Sequence, residues 1–172
     1  MRIKSEAGQD PQQVVNAAVR QAKRSIGSAM DRIVILESLK PYMRGMNHDD
    51  LNGDQYAAAI FEWVHSFAYV REPAGPGHIG EVVQSPLLTI RLRAGDCDCL
   101  AALICAAAGI VGMPCRIGYI ITGQNFAHIL AAVRPGYYHH GDWIVIDPQS
   151  KKKAPTPAAE YAGATWTPVI GS

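Results

Sequence analysis

The sequence predicts an α+β fold in which helices come first and a small antiparallel sheet follows. Two observations predict it. Apolar residues recur at helical spacing through much of the first two thirds of the chain, and three β-like segments divided by turn signals follow residue 115. The 172 residues suffice for one compact domain and fall short of two. With 48% hydrophobic and 18% charged residues, a core can form. Sixteen basic groups against 15 acidic ones leave a net charge of +1, which supplies no basic field for nucleic acid. No stretch interleaves lysine or arginine with stacking aromatics either.

Residues 1–10 are polar and charged and are expected to be a flexible start. They lack the apolar core of a secretory signal, so a cytoplasmic location and reduced thiols are expected. Val15, Ala18, Val19, Ala22 and Ile26 then make one stripe of an amphipathic helix over residues 11–27, opposite Arg20, Lys23 and Arg24. Residues 32–39 are apolar, of uncertain type, and end before Pro41. A polar link at 47–54 precedes a helix over 55–67, marked by Ile60, Phe61, Val64 and Phe67. Two prolines and three glycines at 71–80 make a loop, and residues 87–92 read equally as strand or helical turn.

After Gly95-Asp96-Cys97, helical spacing returns through Leu100, Leu103, Ile104 and Ala107 and stops at Gly109. The apolar stretch 100–115 contains Gly109, Gly112 and Pro114 and is too short to span a bilayer, so it reads as a buried helix and a turn. The β-like segments are 116–122, 127–133 and 142–146, an expected meander with turns at 123–125 and 134–141. Beyond Pro148 the composition shifts to lysine, alanine, threonine and proline. Residues 150–172 are therefore expected to be an extended arm outside a domain at 11–149 whose core runs from about 55 to 149.

Cys97 follows Asp96, a good helix N-cap, and so stands where unpaired amides and the helix dipole favour a thiolate. Asp96 and Asp98 oppose that ionisation, so a nearby imidazolium is required. If Val133 faces Asp142 across the last turn, counting back places His128 opposite Asp147 on one sheet face. A carboxylate on one ring nitrogen would fix the tautomer and leave the other to share a proton with the thiol.

These residues carry a resemblance. Gly95-Asp96-Cys97-Asp98-Cys99-Leu100-Ala101, then Phe126-Ala127-His128, then Asp142-Trp143-Ile144-Val145-Ile146-Asp147-Pro148 is similar to the core of the transglutaminase-like superfamily, over about residues 61–149. The resemblance implies a papain-like fold, acyl-thioester chemistry, and a catalytic triad of Cys97, His128 and Asp147. It also implies that Gln84, in Gln84-Ser85-Pro86, helps to hold an oxyanion together with the Cys97 N–H. Many relatives have an acidic residue where this chain has Cys99, a departure that leaves the nucleophile unaffected.

Other readings attach to the remaining residues. Cys99, Cys105 and Cys115 read as packing residues. A zinc site from Cys97, Cys99, Cys115 and His128 is disfavoured, because a Cys-x-Cys pair diverges within one helical turn and no Cys-x-x-Cys knuckle exists. His65, His78, His139 and His140 carry no partner pattern, and Lys151, Lys152 and Lys153 read as a solvated turn. The expected enzyme acts on an amide or peptide bond of a protein or peptide substrate, hydrolysis being favoured over cross-linking. No cofactor, metal, nucleic acid or membrane partner is expected. The competing expectation is an assembly module, for example in a phage particle, that docks through its terminal segments with little or no catalysis.

Overall fold

The computed structural model describes residues 4–5, 10–43, 52–71, 82–122, 126–136, 142–150 and 154–171. Most of the loop expected at 71–80, the turn at 123–125, the Lys151–Lys153 run, and His78, His139 and His140 lie outside them.

Local chemistry sets the helix boundaries. Asp10 caps α1 (Pro11–Gly27) by accepting the Gln12 N–H at 3.0 Å, and Pro11 occupies a first-turn position that needs no donor. The expected stripe is buried through Val15, Ala18, Val19 and Ala22. Ser28 ends α1 and caps α2 (Ala29–Leu39), so the ambiguous segment at 32–39 is helical, followed by a 3₁₀ turn at Lys40–Met43 that accommodates Pro41. Asn52 and Gln55 form a reciprocal capping box at the start of α3 (Gly53–His65). Ser85 and Pro86 open α4 (Pro86–Leu92), which makes residues 87–92 helix and not strand. That helix ends where Arg93 turns left-handed at φ 53° and lays its guanidinium 4.5 Å over the Phe67 ring.

The next residues carry the chain into the centre of the molecule. A short parallel ladder pairs β2 (Ala68–Tyr69) with β3 (Ala94–Gly95), fixing the backbone just ahead of α5 (Cys97–Ile110). All 14 residues of α5 are buried, as expected of a helix apolar all round except at its first turn. Helices α1, α2, α3 and α4 pack around it on one side, and the sheet covers the other.

The sheet runs in the order β7-β6-β5-β4-β8, from β4 (Cys115–Thr122), β5 (Phe126–Val133), β6 (Ile144–Ile146), β7 (Thr156–Pro157) and β8 (Thr165–Ile170), with antiparallel neighbours throughout. β1 (Lys4–Ser5) adds a parallel pair to β5, so part of the expected flexible start is a strand. The segment at 150–172 also differs from expectation. It supplies both β7 and β8, which cover the edges of β6 and β4, so it is no arm. Its signal is weak because an edge strand needs backbone partners more than an apolar run, and those partners lie far off in sequence.

Alternation divides the strands between two cores. Ile117, Ile129, Ala131, Val133 and Ile146 pack into the main core with α5. Leu130, Ala132 and Val145 face the other way and are covered by Trp143, Ala158, Tyr161 and Trp166. Among the described residues no helix is long and apolar enough to cross a membrane.

Candidate active site

The β2–β3 ladder ends at Gly95, Asp96 becomes the N-cap, and Cys97 is the first residue of α5, 2% exposed. The Asp96 carboxylate accepts the Cys99 N–H at 3.3 Å, the cap expected from the sequence. Asp98 is fully buried beside it. Cys99 receives the Gln84 N–H on its sulfur at 3.2 Å. Burial, with Asp98 and Asp96 adding to it, pushes the Cys99 thiol far above the ordinary range, so it stays neutral and unreactive. The Gln84 side-chain oxygen accepts from Thr89 Oγ1 at 3.5 Å, which holds that residue beside the opening turn of α5.

His128 lies on β5, the strand against which α5 packs. Its Nε2 lies 2.9 Å from Asp147 Oδ1, with side-chain exposures of 13% and 12%. The expected register is off by two. Val133 pairs with Ile144, not Asp142, so continuing the ladder sets Asp147 against Leu130, diagonal to His128. A slip of two preserves the face, which is why the contact survives it. The Gln149 N–H also donates to Oδ1 at 2.9 Å, and the Tyr161 hydroxyl donates to Oδ2 at 3.4 Å. Neither Gln149 nor Tyr161 was legible as a site residue, since one acts through its backbone and the other through a distant segment.

Burial alone would raise the Asp147 carboxyl. His128, then the Gln149 amide and Tyr161, outweigh it and hold the group below its ordinary value. A carboxylate accepting from Nε2–H leaves the neutral imidazole with its lone pair on Nδ1. That nitrogen is buried and has no hydrogen-bond partner.

A pH dependence of stability follows. A carboxyl depressed in the folded state stabilises the fold above its unfolded pKa, and the contribution is lost as pH falls through the folded value. The stability gap between wild type and Asp147→Asn, read from urea midpoints, is therefore expected to be largest near neutrality and to shrink in acid. A gap that does not change with pH would show that ionised Asp147 contributes nothing.

The four residues of the disfavoured zinc reading do not converge. Cys115 donates to the Cys105 carbonyl at 3.3 Å, two helical turns beyond Cys97. None of the four cysteines is in a disulfide, and all are buried. Among the described residues, Asp96, Asp98 and Cys99 are grouped with ligand atoms within 4.8 Å of one another. The two carboxylates are donors of the kind calcium takes, whereas the neutral Cys99 thiol suits neither calcium nor a thiolate-bound zinc.

The family model of the transglutaminase-like superfamily core matches residues 38–148. The chain belongs to the transglutaminase-like superfamily. The match spans α3, α4, α5 and the β4–β6 meander, so the family core includes the helix that opens at Cys97 and the strands around His128 and Asp147. Among solved structures, Legionella pneumophila LapG is similar at 16% identity and TM-score 0.56, covering 87% of this chain and 81% of LapG. EGTA-treated LapG gives TM-score 0.58 at 16% identity, with coverages of 87% and 78%. The calcium-bound form gives 0.55 at 16%, with coverages of 86% and 79%. At such identities the likeness is one of fold. Comparison with curated proteins gives no match. The α+β, papain-like architecture expected from the sequence is thus the observed one.

Proposed function

We propose that this superfamily member is a cysteine-dependent acyl-transfer enzyme that hydrolyses an amide or peptide bond of a protein or peptide substrate. The observation that carries the reading is the part-buried His128–Asp147 pair, whose histidine Nδ1 is left with a lone pair and no hydrogen-bond partner. Cys97, at the opening of the helix that packs on the same strand, is the nucleophile. Its Sγ bonds to the carbonyl carbon as its proton passes to Nδ1, and the oxyanion is met by the Cys97 N–H and the Gln84 side-chain amide. The proton then goes to the leaving nitrogen as the C–N bond breaks. Water, deprotonated by Nδ1, cleaves the thioester and releases the acid. Asp147 holds the imidazole in the required tautomer throughout.

LapG is described in a calcium-bound form. No step of the present reading runs through a metal. In the alternative, an assembly module, the terminal segments dock onto partners; in this chain the C-terminal segment pairs with the sheet through β7 and β8.

Incubation with p-nitrophenyl acetate tests the reading. An acetyl adduct on Cys97, located by mass spectrometry and discharged with turnover, is expected in wild type and absent in Cys97→Ala. Release of nitrophenol at the same rate in both proteins would sink it.

A further inference from the structure

Residues beyond the family match reach the back of the candidate site. Tyr161 follows β7 in a 3₁₀ turn, Ala158–Tyr161, that lies over the outer face of the sheet, and it packs against the cluster of Leu130, Ala132 and Val145. Its hydroxyl meets Asp147 Oδ2 at 3.4 Å, on the edge of the carboxylate that His128 does not use. Thr156, 3% exposed on β7, in turn hydrogen-bonds the phenol oxygen. An aspartate carboxylate turns readily about its last torsion, and the His128 and Gln149 contacts both fall on one oxygen. A donor at the second oxygen is what fixes its plane.

We propose that Tyr161 is a positioning residue of the site, its hydroxyl locking the Asp147 carboxylate so that Oδ1 is aimed at His128 Nε2 and the lone pair of His128 stays on Nδ1. The relay runs Thr156, Tyr161, Asp147, His128, each hydroxyl donating to the next oxygen. It makes the segment after Pro148 part of the machinery of the family core it follows. The proposal rests on the triad reading above, but its direct test needs no turnover.

Tyr161→Phe keeps the ring that packs on that cluster and removes only the donor. With ring-¹⁵N histidine and carboxyl-¹³C aspartate in a Cys97→Ala background, where no thiolate can hold a proton on Nδ1, His128 is expected as a single Nε2–H tautomer. In the variant the Asp147 carboxyl is expected to titrate at higher pH, since its charged form loses a hydrogen bond, and the His128 nitrogens should move toward a tautomer average. With Cys97 in place, its alkylation should slow by roughly two- to tenfold, the worth of one ordinary hydrogen bond. Thr156→Val should move the same signals less, in the same direction. A purely packing role predicts no change in tautomer or titration, and that result overturns the proposal.

Should Tyr161→Phe fail to fold, the phenol of Tyr161 serves instead. Burial, then Asp147, holds it above the ordinary tyrosine range, so Asp147→Asn should lower it. An unmoved phenol would equally overturn the proposal. If the tautomer changes appear while wild-type Cys97 is inert, the relay stands and the enzyme reading falls.

Discussion

His128→Ala is expected to slow alkylation of Cys97 by iodoacetamide at pH 7 by roughly thirtyfold, because a thiol without a cationic partner is only a few per cent thiolate at that pH. The dependence should be steep here. Asp96 and Asp98, 6% and 0% exposed, are its neighbours along the chain and disfavour another negative charge beside them. The helix N-terminus contributes on the order of 1 kcal/mol in the other direction, too little by itself to offset two buried carboxylates. The rest must come from His128, whose Nδ1 takes the proton as the thiolate forms while Asp147, 2.9 Å from Nε2, holds the ring. Cys99, Cys105 and Cys115 act as internal controls, each 1% exposed or less. Rates resolved by site with mass spectrometry should show Cys97 far ahead of these three in wild type and level with them in the variant, at unchanged circular dichroism. Four thiols of equal rate in wild type, or a Cys97 rate indifferent to the mutation, would leave the triad without chemistry.

The parts of this site that could be read from the sequence are those set by short-range chemistry. Asp96 before Cys97 announces a cap and a helix start within a few residues, and the cap is present. The pairing of His128 with Asp147 could be read as well, although the register was misplaced by two residues, because an even slip leaves alternation intact. Long-range pairing was what stayed hidden. β8 joins β4 across some 45 residues of chain, with a register shift between Cys115 and Arg116, and its Thr-Trp-Thr-Pro pattern resembles a linker until an edge is there to receive it. Tyr161 was hidden for the same reason. A lone aromatic among alanines says nothing about a carboxylate 14 residues earlier until β7 pairs with β6 and folds the chain back over the sheet.

Gly118→Ala is expected to destabilise the fold by about 2 kcal/mol, as overpacking does when neighbours cannot yield. Gly118 sits on β4 opposite Trp166 of β8, whose indole lies across it. An added Cβ would come within 2.3 Å of the Thr165 carbonyl oxygen and 2.6 Å of Trp166 Cε3. The carbonyl belongs to the ladder and cannot move away without giving up its strand. Displacing the ring also opens a stack in which the Arg116 guanidinium lies 4.1 Å from the Trp143 ring and 4.5 Å from that of Trp166. A melting temperature lower by roughly 4–8 °C is expected for a domain of this size, together with a changed near-ultraviolet dichroism from the two tryptophans. Because β8 and Tyr161 belong to one segment, loosening that strand should also slow Cys97 alkylation at temperatures well below the melt. An unchanged melt and tryptophan signal would mean that β8 does not bear on β4 at this glycine. A lowered melt with unchanged Cys97 reactivity would instead separate the edge strand from the relay through Tyr161.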